Sequence, residues 1–115
     1  MNHVSDHFIE SLIASPIVKK GEYNYFVHPI TDGIPAIDPV ILREVAQGMI
    51  SRLDLEGVRY IVAAEAMAIP IGSAISLMTG IPLNIIRKRP YGLPGEEKVM
   101  QQTGYSKGEM FINGL

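Results

Sequence analysis

Residues 60 to 90 constrain the fold more than any other stretch. They read Tyr-Ile-Val-Ala-Ala-Glu-Ala-Met-Ala-Ile-Pro, then Ile-Gly-Ser-Ala-Ile-Ser-Leu-Met-Thr-Gly, then Ile-Pro-Leu-Asn-Ile-Ile-Arg-Lys-Arg-Pro. An apolar run ends in one acid, Glu65. A helical stretch follows, and a second apolar run ends in Arg87, Lys88 and Arg89. Apolar runs without polar alternation are those of parallel strands covered on both faces. The connection between them has the length, about a dozen residues, that a βαβ crossover needs, and such units are right-handed in nearly all cases. Open parallel sheets bind ligands outside the carboxyl ends of their strands. Charge occurs only there, so Glu65 and the Arg87-Lys88-Arg89 run mark the expected site. Three adjacent cations after a buried strand point to an anionic ligand, of which phosphate is the commonest.

The remaining totals narrow the class. A chain of 115 residues is one domain at most. Its formal charge of −2 lacks the basic excess of a general nucleic-acid binder. Without cysteine there is no disulfide framework and no thiolate zinc site. The histidines, His3, His7 and His28, are scattered and form no metal-ligand pattern. No apolar run reaches the roughly 20 residues that span a bilayer, and the first residues lack the basic-then-apolar pattern of a signal peptide. The expectation is a cytoplasmic protein with neither membrane nor nucleic acid as a partner.

In chain order, Phe8, Ile9, Leu12 and Ile13 place an amphipathic helix over residues 5 to 14, with Ser5 as its N-cap and Ser15-Pro16 as its stop. Residues 22 to 30 read as one aromatic strand. Tyr23, Tyr25 and Phe26 in it either pack on a helix or stack on a ligand base. Residues 31 to 35 are turn chemistry. Asp38-Pro39 is a helix start, and Val40, Leu42, Val45, Ala46, Met49, Ile50 and Leu53 trace an apolar face to about residue 55, with Gly57 beyond. Buried strands are expected at 59 to 64 and 82 to 86, and a helix from about Ile71 to Thr79 capped by Gly80. Short strands at 98 to 103 and 109 to 113 flank Gly104-Tyr105-Ser106-Lys107-Gly108, whose glycines suggest a mobile lid. The common nucleotide fingerprints are absent, and Gly72-Ser73-Ala74 lacks the spacing of a nucleophile elbow.

Glu65 reads either as a functional carboxylate or as a charge complementing a helix N-terminus. Small residues at Ala64, Ala66 and Ala68 let main-chain N–H groups approach an anion. The three bases are either an anion site or a solvated patch, and Lys107 either a lid cation or ordinary surface. Tyr105 is hard to explain as core, because nothing near it in sequence packs it.

At these residues the chain resembles the type I purine phosphoribosyltransferases, and looks closest to the archaeal hypoxanthine/guanine enzymes, which are similar to the adenine enzymes. Arg87-Lys88-Arg89-Pro90-Tyr91-Gly92-Leu93-Pro94-Gly95 is similar to an Arg-Lys…Leu-Pro-Gly signature. Gly104 to Glu109 looks like the family's flexible loop, and Ala63 to Ala68 sits where the family has its pyrophosphate loop. The resemblance implies an α/β fold with a central, mostly parallel sheet flanked by helices. Residues 1–36 would form a hood-like region, and residues 37–115 a core part carrying the pyrophosphate loop and the lid. It implies purine salvage: a purine nitrogen attacks C1′ of phosphoribosyl pyrophosphate (PRPP), and pyrophosphate leaves with Mg²⁺. Glu65, Ala66, Met67 and Ala68 would line the pyrophosphate, with Arg87 and Lys88 neutralising it. Tyr105 and Lys107 would be the catalytic lid residues. It further implies a non-proline cis peptide between Glu65 and Ala66, and a homodimer. The alternatives are a non-catalytic purine or PRPP sensor of the same fold and an adenine enzyme, though Met67 stands where adenine enzymes carry arginine. The family's two-aspartate, Thr-Gly-Gly motif is not in this sequence. An N-terminal part of such an enzyme is therefore expected, inactive if these residues are all there is.

Overall fold

The computed structural model describes residues 4–115. His3, one of the histidines weighed as a metal ligand, lies outside them.

Helix α1 (Asp6–Ala14) begins where its cap signal placed it: Ser5 Oγ accepts the Phe8 N–H at 3.4 Å. Ser5 and His7 both reach Glu44, tying α1 to the third helix. The single strand expected over 22 to 30 is instead a hairpin followed by a helical turn. Strand β1 (Ile17–Lys20) pairs antiparallel with β2 (Tyr23–Phe26), Lys20 opposite Tyr23 and Val18 opposite Tyr25. β1 escaped notice because only Ile17 and Val18 in it are apolar. Beyond the Ile17–Phe26 pair one ladder bond remains, from Val27 N–H to Pro16 O at 2.8 Å, because Pro16 has no N–H to return it; Pro29 then opens helix α2 (Pro29–Asp32), where proline suits the first turn. His28 caps α2, its Nδ1 accepting the Ile30 N–H at 3.1 Å.

Helix α3 (Pro39–Arg52) starts as expected, with Asp38 Oδ1 accepting the Val40 N–H at 2.9 Å. It ends at an extended Leu53, earlier than its apolar pattern suggested. Of that apolar face only Ala46 is buried; Val40, Met49 and Leu53 stay largely exposed, since no described element covers that side.

The organising stretch folds as strand, helix, strand. β3 (Ile61–Ala64) and β4 (Leu83–Ile86) pair in parallel, from Ile61 opposite Leu83 to Ala64 opposite Ile86. α4 (Ile69–Thr79) begins two residues before the expected start, with Pro70 in its first turn, and Gly80 closes it with φ 77°. Gly72 seats α4 on the sheet: a Cβ there would lie 3.1 Å from both Ala63 Cβ and Leu83 Cδ1. The expectation that β3 is covered on both faces does not hold among the described residues, where Val62 is 48% exposed; α4 covers one side only.

β5 (Glu97–Gln102) and β6 (Lys107–Ile112) form an antiparallel hairpin with a shorter loop than expected, Gly108 lying inside β6. Arg87 and Phe111 exchange backbone hydrogen bonds at 3.0 and 2.8 Å, joining this hairpin to the end of β4. The class is α/β as expected, and its parallel part consists of β3 and β4. Among the described residues, Ile30, Ala46, Ala63, Ile75 and Met110 are the buried apolar ones. No helix among the described residues is long and apolar enough to cross a membrane.

Candidate active site

The parallel register sets Ala64 beside Ile86, so the residues that follow the two strands emerge side by side. Glu65 still belongs to the ladder, its N–H donating to Ile86 O at 2.9 Å. Its carboxylate turns to the neighbouring strand end: Oε1 accepts the Lys88 N–H at 3.0 Å and lies 3.3 Å from Arg87 Nε. Of its two sequence readings, the structure shows this carboxylate as a brace between strand ends. Arg87 Nε is buried and finds no hydrogen bond of good geometry among the described residues.

The Glu65–Ala66 peptide is cis, and so is Ile34–Pro35. Beyond it Ala66, Met67 and Ala68 form an exposed turn into α4. Their carbonyls serve the helix: Ala66 O accepts from Ile69, and Ala68 O from Gly72. Their three N–H groups have no protein partner among the described residues. Free N–H groups at a helix N-terminus beside a guanidinium make an environment suited to an anion. Glu65, Ala66, Met67, Ala68, Arg87 and Lys88, all named from the sequence, are thus brought together.

Arg89 leads into a segment shaped by one carboxylate. Glu96 accepts the Tyr91 N–H at 2.8 Å, the Gly92 N–H at 3.2 Å and Asn113 Nδ2 at 2.9 Å. The Tyr91 bond above all holds Glu96 below the usual carboxylate range. Asn113 also accepts Asn84 Nδ2 through its backbone oxygen at 2.7 Å, which fastens this loop to the sheet.

The lid residues lie elsewhere. The turn from Thr103 to Ser106 is hydrogen-bonded, Thr103 N donating to Ser106 O at 2.7 Å and Ser106 N to Thr103 Oγ1 at 3.0 Å. Tyr105 is packed after all, by partners some 80 residues away in sequence: its ring meets Tyr25 edge-on at 5.5 Å and Tyr23 at 5.8 Å. Lys20 Nζ faces the Tyr25 and Tyr105 rings at 5.8 and 5.9 Å. Lys107 starts β6 opposite Gln102 and shares a cleft wall with Tyr105. No hydrogen bond or ion pair among the described residues draws Lys107 to the 65–68 turn.

Sequence reasoning missed what joins these parts. The Tyr25 hydroxyl donates to Asp32 Oδ1 at 2.7 Å and lies 2.8 Å from Met67 Sδ. Burial first, then the Asp32 carboxylate, push the Tyr25 phenol up to about 12. Between hairpin and turn lies a cleft of about 230 Å³, lined by Tyr23, Asn24, Tyr25, Phe26, Thr31 and Met67. Only the i, i+2 spacing of Tyr23 and Tyr25 hinted at a shared face. His28 is structural: buried, it is held by Ser11 Oγ at 2.8 Å on Nε2, and burial lowers its pKa.

No protein-family model matches the chain. Solved structures similar to it include adenine phosphoribosyltransferase from Saccharomyces cerevisiae (TM-score 0.66, 18% identity, covering 97% of this chain and 66% of that one). Another is the Trypanosoma brucei enzyme in complex with AMP, pyrophosphate and ribose-5-phosphate (TM-score 0.67, 12% identity, 96% and 49% covered). The fold is that of the type I phosphoribosyltransferases. In sequence the chain is similar to hypoxanthine/guanine phosphoribosyltransferases. It is 74% identical to that of Methanospirillum hungatei over 93% of this chain and 59% of the relative. It is 56% identical to that of Methanosphaerula palustris over 96% of this chain and 60% of the relative. The chain thus spans about three-fifths of the length of these curated relatives.

Proposed function

We propose that this chain supplies the pyrophosphate-binding and lid parts of a purine phosphoribosyltransferase acting on hypoxanthine and guanine. The observation that carries this reading is the turn after β3, where three N–H groups without a partner among the described residues lie at the start of α4 and Arg87 and Lys88 follow the neighbouring strand. The identity to hypoxanthine/guanine enzymes supports the 6-oxopurines over adenine.

In this reading the purine lies in the cleft between the β1–β2 hairpin and Met67, stacked against the aromatic residues of β2. A purine ring nitrogen attacks C1′ of PRPP. The C1′–O bond to pyrophosphate breaks, its electron pair stays on the leaving oxygen, and the ring nitrogen loses its proton. IMP or GMP and pyrophosphate result. The transition state carries growing negative charge on the leaving group, so donors already aimed at that position lower the barrier without reorganising. The N–H groups of Ala66 to Ala68 supply such donors, and Arg87 and Lys88 supply charge. Tyr105, with Lys107 beside it, closes over the reacting centre and excludes water. Among the described residues no three His, Cys, Asp or Glu side chains gather to hold a metal. In this reading Mg²⁺ arrives with the substrate, on the diphosphate oxygens as this ion commonly does. The residues up to 36 act as the hood over the base, those from 37 as the core, and two copies form the working unit.

The test is nucleotide formation from PRPP and each purine by the purified protein, with calorimetric binding of magnesium PRPP alongside. IMP and GMP without AMP are expected. Binding of neither PRPP nor pyrophosphate overturns the reading, and PRPP binding without any nucleotide formed, even once the two-aspartate, Thr-Gly-Gly motif is supplied, favours a sensor.

A further inference from the structure

Tyr25 has no part in the roles just assigned to the turn and the lid, yet it touches both. Its hydroxyl lies against Met67 Sδ in the turn after β3. Its ring meets Tyr105 at 85°, the edge-to-face arrangement aromatic pairs favour. The phenol is not free to swing. It donates to Asp32 Oδ1, while Asp32 Oδ2 accepts the His28 N–H at 3.2 Å and Thr31 Oγ1 at 2.9 Å. The anchoring carboxylate is therefore fixed within α2. The lid is seated closely as well, for a Cβ on Gly104 would overlap the Tyr23 ring.

We propose that Tyr25 is a positioning residue that couples anion occupancy of the Ala66–Ala68 turn to the placement of Tyr105. The inference rests on the phosphoribosyltransferase reading above. An anion held by the main-chain N–H groups of the turn fixes the Met67 side chain. Tyr25, pinned at its hydroxyl end, passes that choice to the ring packed on it. The coupling is reciprocal, so a seated Tyr105 tightens the hold of the turn on its anion.

The probe is inorganic pyrophosphate with magnesium chloride, followed by amide NMR of the protein. In the unaltered protein, the amides of Ala66 and Ala68 and those of Gly104 and Gly108 should shift with one shared Kd. Tyr25→Phe keeps the ring against Tyr105 and removes the hydroxyl that meets Met67 and Asp32. The shifts at Ala66 and Ala68 should persist, while those at Gly104 and Gly108 fall about fivefold, within the range such coupling residues show. Gly104→Ala attacks the other end, lifting the lid from Tyr23 without replacing a tyrosine. It too should silence Gly108 and leave the turn responsive. Undiminished lid shifts in both variants overturn the coupling and leave the phosphoribosyltransferase reading intact. No shift at Ala66 or Ala68 in the unaltered protein overturns that reading, and the coupling with it.

Discussion

Arg87 Nε lies 3.3 Å from Glu65 Oε1, spanning the carboxyl ends of two adjacent parallel strands. Both side chains are about one-third exposed or less, so the pair is screened, and its contribution to stability is no more than about 1 kcal/mol. Its consequence is placement. The carboxylate ties the guanidinium to the end of β3 and steadies the backbone of Lys88.

Arg87→Ala therefore separates binding from folding. Loss of a charge-assisted contact to pyrophosphate is expected to raise the KM for PRPP about tenfold to a hundredfold. The melting temperature should move little and free-purine affinity not at all. Equal losses for PRPP and purine argue against the pyrophosphate role.

Tyr105→Ala is expected to lower kcat more than it weakens substrate binding, because a lid acts mainly once the site is closed. Turnover unchanged from that of the parent protein would sink the lid reading. The variant also strips an edge-on partner from Tyr25, so some loosening of the β1–β2 hairpin should accompany the loss.

Stability should fall on both sides of neutrality. His28, lowered by burial, stays neutral in the fold, so protonation favours the unfolded chain. The loss begins as pH falls through the ordinary histidine value near 6.5 and continues to the depressed folded value. Tyr25 is the converse: its phenol, about 12 in the fold against 10 when free, makes stability drop as pH rises from 10 towards 12. Denaturant midpoints across pH check both. Tyr25→Phe should flatten the alkaline arm and leave the acid arm; an alkaline arm that Tyr25→Phe leaves unchanged rejects the assignment.

Gly72→Ala tests how α4 sits on the sheet. An added methyl 3.1 Å from Ala63 and Leu83 forces neighbours apart, which outweighs the gain in helix propensity and leaves a net loss of about 1 kcal/mol. Chemical denaturation measures it. A stabilised variant would show that the helix lies further from the strands.

The sequence by itself determined the helix starts at Ser5 and Asp38-Pro39, the Gly80 cap, the β3–α4–β4 unit, and the gathering of Glu65 with Arg87 and Lys88. Each follows from local chemistry: a capping oxygen, a proline's fixed φ, a run of apolar residues, or charges next to strand ends whose parallel pairing forces them together. It misjudged the region from 17 to 32, where Pro29 opens a helical turn and β1 has too few apolar residues to be seen. It also missed how little of the α3 face and of β3 is covered. Only the tertiary structure decided where Tyr105 goes. The Tyr25 ring against Tyr105, the Tyr25 hydroxyl against Met67 and Asp32, and the Glu96–Asn113–Asn84 chain all join segments far apart in sequence. Such contacts leave no periodic trace along the chain, because what selects them is the space and unpaired polar atoms left once the helices and strands have packed.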